Sequence, residues 1–258
     1  MRDMNKKTVD VGNIKIAVCE SEGDGLDVLL IHGNSLSSKS FAKQFVEPIV
    51  SKYHVVAVDL PGHGDSLPFE DPRNSYSLTG YSNLISELID LLNLSQIVLV
   101  GHSLGGHIAL EVSTKSPNII GILIFGTPPL GIPPAINQAF LDHRLEPSLL
   151  VLDGVEVPQF FVDDFNNTDP NARRFLIRNT AKNNYEDEIN IVKNLKIPLA
   201  IIHGAQDKLI NLNYLIDIPI PTLWRNKIQV IEHVGHSPQY EAPDIFNQIL
   251  EQFLEDLS

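Results

Sequence analysis

A chain of 258 residues with 43% hydrophobic and 20% charged side chains is long enough for one large α/β domain, or two small ones, with well-formed cores. Its formal net charge of −13, spread without any run of Lys or Arg, would repel a phosphate backbone and argues against nucleic acid as a partner. A lone cysteine, Cys19, excludes an internal disulfide and reads as a small buried strand residue in a protein of a reducing compartment. The start, "MRDMNKKTVDVGN", holds no apolar stretch of signal-peptide length, and the longest apolar run, "IIGILIF", is too short to span a bilayer. A cytoplasmic protein that does not engage membranes is expected.

In chain order, "VDVGNIKIAVCE" predicts a hairpin about a Gly-Asn turn, and "DVLLIHG" predicts a strand buried on both faces. A helix near 39–50 leads to "HVVAVDLPGHGDS", a helix near 79–92 leads to "QIVLVGHSLGG", and a helix after Ser103 leads to "IIGILIFGTPP". Short β-rich runs alternating with helical patterns are the mark of parallel strands joined by crossovers. Residues 131–192 break the alternation with helical stretches rich in aromatics and acids, which predicts a helical insertion forming a lid. Strand and helix resume at "IPLAIIHG", "NKIQVIE" and the amphipathic "PDIFNQILEQFLEDL". The expected organisation is a core of residues 1–130 and 193–258 carrying a cap at 131–192.

The segment "VGHSLGGHIAL" places Ser103 between Gly101 and Gly105, directly after a strand and at the start of a helix. A serine hydroxyl is a poor nucleophile unless a base stands beside it and a tight strand-turn-helix presents it. Glycines on both sides remove the side chains that would collide at such an elbow, and Gly106 lets the helix lie close to the sheet. In a sheet of this kind the acid and then the histidine follow the serine, each just past a strand end. His236, in the loop "VGHSP", fits the base, whereas His233 belongs to the alternating "KIQVIEHV". Asp207, three residues past Gly204 in "IIHGAQDKL", fits the carboxylate that orients the imidazole. The oxyanion of a tetrahedral intermediate needs preorganised N–H donors, and the backbone amides of Leu104 and of Asn34, after "LLIHG", are the candidates. His32, His63, Asp59 and Asp65 read as loop-bracing residues. Phe140, Phe160, Phe161 and Phe165 are candidate acyl contacts from the insertion.

"HGNS", "DLPGHGDS", "GHSLGG", "HGAQDKL" and "VGHSPQYEAP", in that order, resemble the α/β-hydrolase superfamily over nearly the whole chain. That resemblance implies a mostly parallel central sheet flanked by helices, with a helical cap. "YSLTGYSN", "GGHIALEV", "FGTPP", "LWRNKIQVIEHVGHSPQYEAP" and the Asn after "HG" are similar to the metal-free N-acyl-homoserine lactonases, which open the lactone ring of bacterial signals and so quench quorum sensing. Those relatives can carry Trp after the nucleophile and Glu as triad acid, where this chain has Leu104 and Asp207. The resemblance implies a serine hydrolase of carboxylic esters or lactones, with Ser103, His236 and Asp207 as its triad, a small acyl ester or lactone as its partner, and neither cofactor nor metal. The H-x-H-x-D-H cluster of metal-dependent lactonases is absent from the sequence. A general carboxylesterase and a hydrolase-like ligand-binding receptor stand as the alternatives.

Overall fold

A computed structural model describes residues 5–258. Eight strands form one sheet in the order β1-β2-β4-β3-β5-β6-β7-β8. The strands are β1 (Asn5–Val11), β2 (Ile14–Glu20), β3 (Asp27–Ile31), β4 (His54–Val58), β5 (Ile97–His102), β6 (Ile119–Phe125), β7 (Leu199–Gly204) and β8 (Gln229–Ile231). β1 and β2 form the expected antiparallel hairpin, closed by Val11 opposite Ile14 and by Gly12 at a φ of 57°. β2 is antiparallel to β4, and every later pair is parallel.

The helices of seven residues or more are α1 (Leu78–Leu91), α2 (Leu104–Val112), α3 (Gln159–Asn167), α4 (Pro170–Thr180), α5 (Glu188–Asn194) and α6 (Pro243–Glu255). Strand side chains alternate faces, and both faces of the central strands are apolar. Leu29, Ile31, Val56, Val58, Leu99 and Ile124 point into one cluster with Tyr81, Ile85, Leu88 and Ile108 of α1 and α2. Val28, Leu30, Val55, Val98, Val100 and Phe125 point into another with Phe246, Leu250 and Phe253 of α6. Hence the continuous apolar runs read from the sequence, since a strand covered by helices on both sides has no polar face to show. Ser77 starts α1 by accepting the Gly80 N–H at 3.0 Å.

The helix expected near 39–50 is not formed. Ser38–Phe41 is a single 3-10 turn capped by Ser37, and a short helix covers only Ile49–Lys52. Pro48 has no N–H to extend a helix from 39 onward and biases Glu47 away from helical angles. Gln44, which a continuous helix would carry, instead donates its amide to the Gln239 carbonyl and to Asn247 across the second core.

Between β6 and β7 the chain adds α3, α4 and α5 and no strand of the sheet. Leu149, Val151, Phe161, Phe175 and Val192 of this stretch share the apolar cluster of the sheet's first face. Buried polar contacts also fasten it to the core. Ser37 Oγ donates to Asp164 at 2.5 Å, Tyr76 donates to Asp169 at 2.7 Å, and the Asn179 amide donates to the Tyr76 carbonyl at 2.8 Å. No helix among the described residues is long and apolar enough to cross a membrane.

Candidate active site

β5 ends at His102 and α2 begins at Leu104, leaving Ser103 alone at the turn with φ 50° and ψ −112°. A non-glycine residue in that region is strained and persists only where its surroundings hold it. Here the Ser103 N–H donates to the Phe125 carbonyl at 2.8 Å. Its carbonyl accepts from Gly106 N at 3.0 Å and from Thr127 Oγ1 at 2.9 Å. The flanking glycines are required by contact: a Cβ on Gly101 would lie 2.4 Å from the Gly105 carbonyl oxygen, and one on Gly105 would lie 2.0 Å from the Ile31 carbonyl oxygen.

His236 and Asp207, 29 residues apart in the chain, meet in the loops after β8 and β7. Nδ1 of His236 donates to Asp207 Oδ2 at 2.9 Å, both side chains being buried, while Oδ1 accepts the Leu209 N–H at 2.8 Å. Burial alone would raise the Asp207 carboxyl. The His236 charge and hydrogen bond, together with the Leu209 N–H, outweigh it and hold the carboxyl below its ordinary value. The other ring nitrogen of His236, Nε2, is buried without a hydrogen-bond partner among the described residues. Gly126, at φ 60°, lies flat against this imidazole, where a Cβ would come within 2.7 Å of its Cε1.

Glu241 fixes the loop that carries the histidine. One carboxylate oxygen accepts the N–H groups of Leu152 and Gly235 at 2.7 and 3.1 Å, and the other accepts that of Ser237 at 3.0 Å. The peptides on both sides of His236 are therefore clamped by one side chain. On the opposite side, His102 lies 3.0 Å from the His236 carbonyl through Nε2. Burial and then the neighbouring His236 keep the His102 imidazole neutral by lowering its pKa well below the usual range, so the contact needs its Nε2–H as donor.

Asn34, Ser103, Leu104 and His236 line one cavity of about 450 Å³, a volume suited to a small ligand. The amide of Leu104 is the first of a helix and has no intrahelical acceptor, and the Asn34 amide makes no backbone hydrogen bond among the described residues. Phe140 also lines the cavity; Phe160 and Phe161 do not. They pack on each other with ring centroids 4.8 Å apart and against Tyr240, and Phe165 lies under the Arg173 guanidinium. As placed, then, these three aromatics are packing residues of the insertion and not cavity walls. The wall is instead largely aliphatic, with Leu78, Leu130, Ile136 and Leu176, and its polar members include Asp142, His143, Arg144 and a residue without a role in the sequence analysis, His107, which is held from behind by Glu188. A second hollow, of about 600 Å³ between the hairpin and α1, has carboxylates (Glu70, Asp71, Glu87) but no histidine on its wall.

The loop-bracing residues divide. Asp59 accepts the N–H groups of Ser38 and Asp65 at 2.7 and 2.8 Å, and His32 accepts the Leu60 N–H at 2.9 Å. Asp65 braces nothing with its carboxylate, which is exposed and pairs with Lys6 at 3.2 Å. His233 lies beyond the end of β8, in an exposed turn at φ 58°, because the strand stops at Ile231. Cys19 is buried in β2, 3.9 Å from Ser38 Oγ.

The alpha/beta hydrolase family profile matches residues 28–249. N-acyl homoserine lactonase AidH, solved in complex with N-hexanoyl homoserine lactone, is 31% identical, covers 99% of both chains and superposes with a TM-score of 0.91. The same lactonase in complex with N-butanoyl homoserine gives 31% identity and a TM-score of 0.90, over 99% of this chain and 98% of that one. A 2-hydroxy-6-oxononadienedioate/2-hydroxy-6-oxononatrienedioate hydrolase of Cupriavidus pinatubonensis (strain JMP 134 / LMG 1197) is 25% identical over 96% of this chain and 93% of its own length. Such a match, spanning all but the outer hairpin and the last few residues, makes this chain a member of the alpha/beta hydrolase family.

Proposed function

We propose that this protein is a serine hydrolase of carboxylic esters and lactones, and that N-acyl-homoserine lactones are its substrates. The observation that carries the reading is the free Nε2 of His236, its ring oriented by Asp207 at 2.9 Å, in the wall that also holds the strained Ser103. No hydrogen bond joins Ser103 Oγ to His236 Nε2 in the unliganded protein, and neither atom is engaged by another partner among the described residues; catalytic contacts of this kind commonly tighten only when substrate is bound.

In this reading Ser103 Oγ attacks the lactone carbonyl carbon as its proton passes to His236 Nε2. Asp207 stabilises the imidazolium, and the Asn34 and Leu104 N–H groups receive the oxyanion. Collapse breaks the ring C–O bond, and His236 returns the proton to the departing alkoxide, leaving an acyl ester on Ser103. Water, deprotonated by His236, attacks that ester; the serine is released and the product is the open-chain N-acyl-homoserine. The insertion over 131–192 acts as the lid over the acyl chain. The likeness to the lactonase AidH over 99% of both chains supports the lactone as substrate.

The test is ring opening, followed by proton release, across a panel of acyl-homoserine lactones beside p-nitrophenyl esters. Lactone turnover that falls by at least about a thousandfold in Ser103→Ala is the expected result. Brisk ester hydrolysis without lactone hydrolysis would make the protein a general carboxylesterase. Binding without turnover of either class would make it a receptor.

A further inference from the structure

Besides His236, four titratable side chains line the same cavity: Asp142, His143 and Arg144 on a largely exposed stretch of the insertion, and the buried His107, which is backed by Glu188. His107 stands four residues after Ser103, and its amide lies 3.4 Å from the Ser103 carbonyl oxygen. Side chains so spaced sit on one face of a helix, with Cβ atoms about 5–6 Å apart. Nδ1 of His107 lies 2.9 Å from both carboxylate oxygens of Glu188, which is fully buried in α5 and also accepts the Leu130 N–H at 2.7 Å. The carboxylate thus occupies one edge of the ring. Nε2 is left as its other polar atom, with no hydrogen bond among the described residues, in a residue that lines the cavity.

A buried imidazole–carboxylate pair is a poor stability device, since well-packed apolar residues of the same volume are generally as stable or more so. A polar atom held one helical turn from a nucleophile has a use if a substrate brings it a partner.

Resting on the lactonase reading above, we propose that His107, oriented by Glu188, recognises the amide that joins the acyl chain to the lactone ring. That amide, carried on the carbon next to the reacting carbonyl, is the nearest polar group outside the ester itself and lies on the acyl-chain side. It serves Nε2 in either protonation state of the ring: its N–H donates to the bare nitrogen of the neutral imidazole, and its carbonyl accepts from the N–H of the imidazolium. A hydrocarbon substituent at the same place leaves Nε2 unpaired, and a site built for a hydrogen bond rejects the analogue lacking it. The pair therefore selects acyl-amino lactones over alkyl lactones of equal length.

The experiment measures binding apart from turnover. Titration calorimetry on Ser103→Ala compares N-hexanoyl-homoserine lactone with α-heptyl-γ-butyrolactone, its hydrocarbon counterpart. The acyl-amino lactone is expected to bind at least about tenfold tighter. In Ser103→Ala carrying also His107→Leu and Glu188→Gln, which keeps an acceptor for Leu130 N–H, the ratio falls to within about twofold. Glu188→Gln alone, which leaves the ring but loosens its orientation, gives an intermediate ratio and guards against a misfolded variant. Equal binding of the two lactones, no binding of either, or a ratio untouched by the substitutions overturns the proposal. Absent lactone hydrolysis by the unaltered protein beside a ratio that responds to His107 removes the lactonase reading alone; turnover without a ratio removes this one alone.

Discussion

His63 donates Nδ1–H to the Pro61 carbonyl at 3.1 Å and packs against the rings of His32 and Tyr81. Burial, and then the neighbouring His32, lowers its pKa to about 3. A histidine held neutral in the fold contributes stability that is complete above its unfolded pKa near 6.5 and drains away as the pH falls toward its folded value. That slope is at most about 1.4 kcal/mol per pH unit. His32 and His102, lowered by burial as well, act in the same direction. Asp207, held below the ordinary carboxylate value, adds a loss of its own only at still lower pH. Urea unfolding at pH 7 and pH 5 should therefore show a marked loss at the lower pH that His63→Gln reduces by about 1–2 kcal/mol; an identical loss in the variant would mean His63 is charged in the fold. Ser103, Asp207 and His236 were legible because each follows a recognisable strand at a fixed offset. His107 and Glu188, 81 residues apart, were not, because nothing along the chain tells which helix of the insertion lies over α2.

The elbow and the histidine loop are properties of elements, and each depends on one small contact. Gly105→Ala puts a Cβ 2.0 Å from the Ile31 carbonyl oxygen, backbone against backbone, so α2 must move off the sheet. Its melting temperature should fall far more than that of Gly12→Ala, where a Cβ meets nothing within 4 Å and only the positive φ is paid for, at about 1 kcal/mol. Similar falls for the two would refute the close approach. Glu241→Ala frees the N–H groups on both sides of His236. In the mechanism proposed above, steady-state kinetics should show kcat reduced about ten- to a hundredfold with KM little altered, because a loosened base harms the transition state more than binding. An equal fall in kcat/KM through KM alone would mean that the loop shapes the pocket and not the base. The motif "VGHSPQYEAP" marked this loop, yet the role of Glu241 appeared only with the fold, which brings Leu152 of the insertion against it.

At the scale of the whole molecule, the insertion closes the aliphatic cavity over Ser103, and Phe140 is its half-buried aromatic wall residue. If acyl-homoserine lactones are the substrates, as proposed above, Phe140→Ala should enlarge the cavity and shift preference toward longer acyl chains, moving the kcat/KM ratio of long to short substrates by about tenfold, in keeping with roughly 1–3 kcal/mol for a pocket change of this size. An unchanged ratio would place the acyl chain elsewhere. The sequence by itself determined the order of strands and crossovers, the turn at Ser103, and the loops that carry Asp207 and His236. Those follow from local rules: period-two apolar runs, glycine where a Cβ cannot fit, and chain order past strand ends. Tertiary structure alone decided that Phe160 and Phe161 pack on Tyr240 away from the cavity, that Glu188 meets His107, and that Glu241 of the histidine loop takes the Leu152 N–H of the insertion. In each case the deciding contact joins segments far apart in the chain, and its energy depends on a separation in space that no spacing along the polymer encodes.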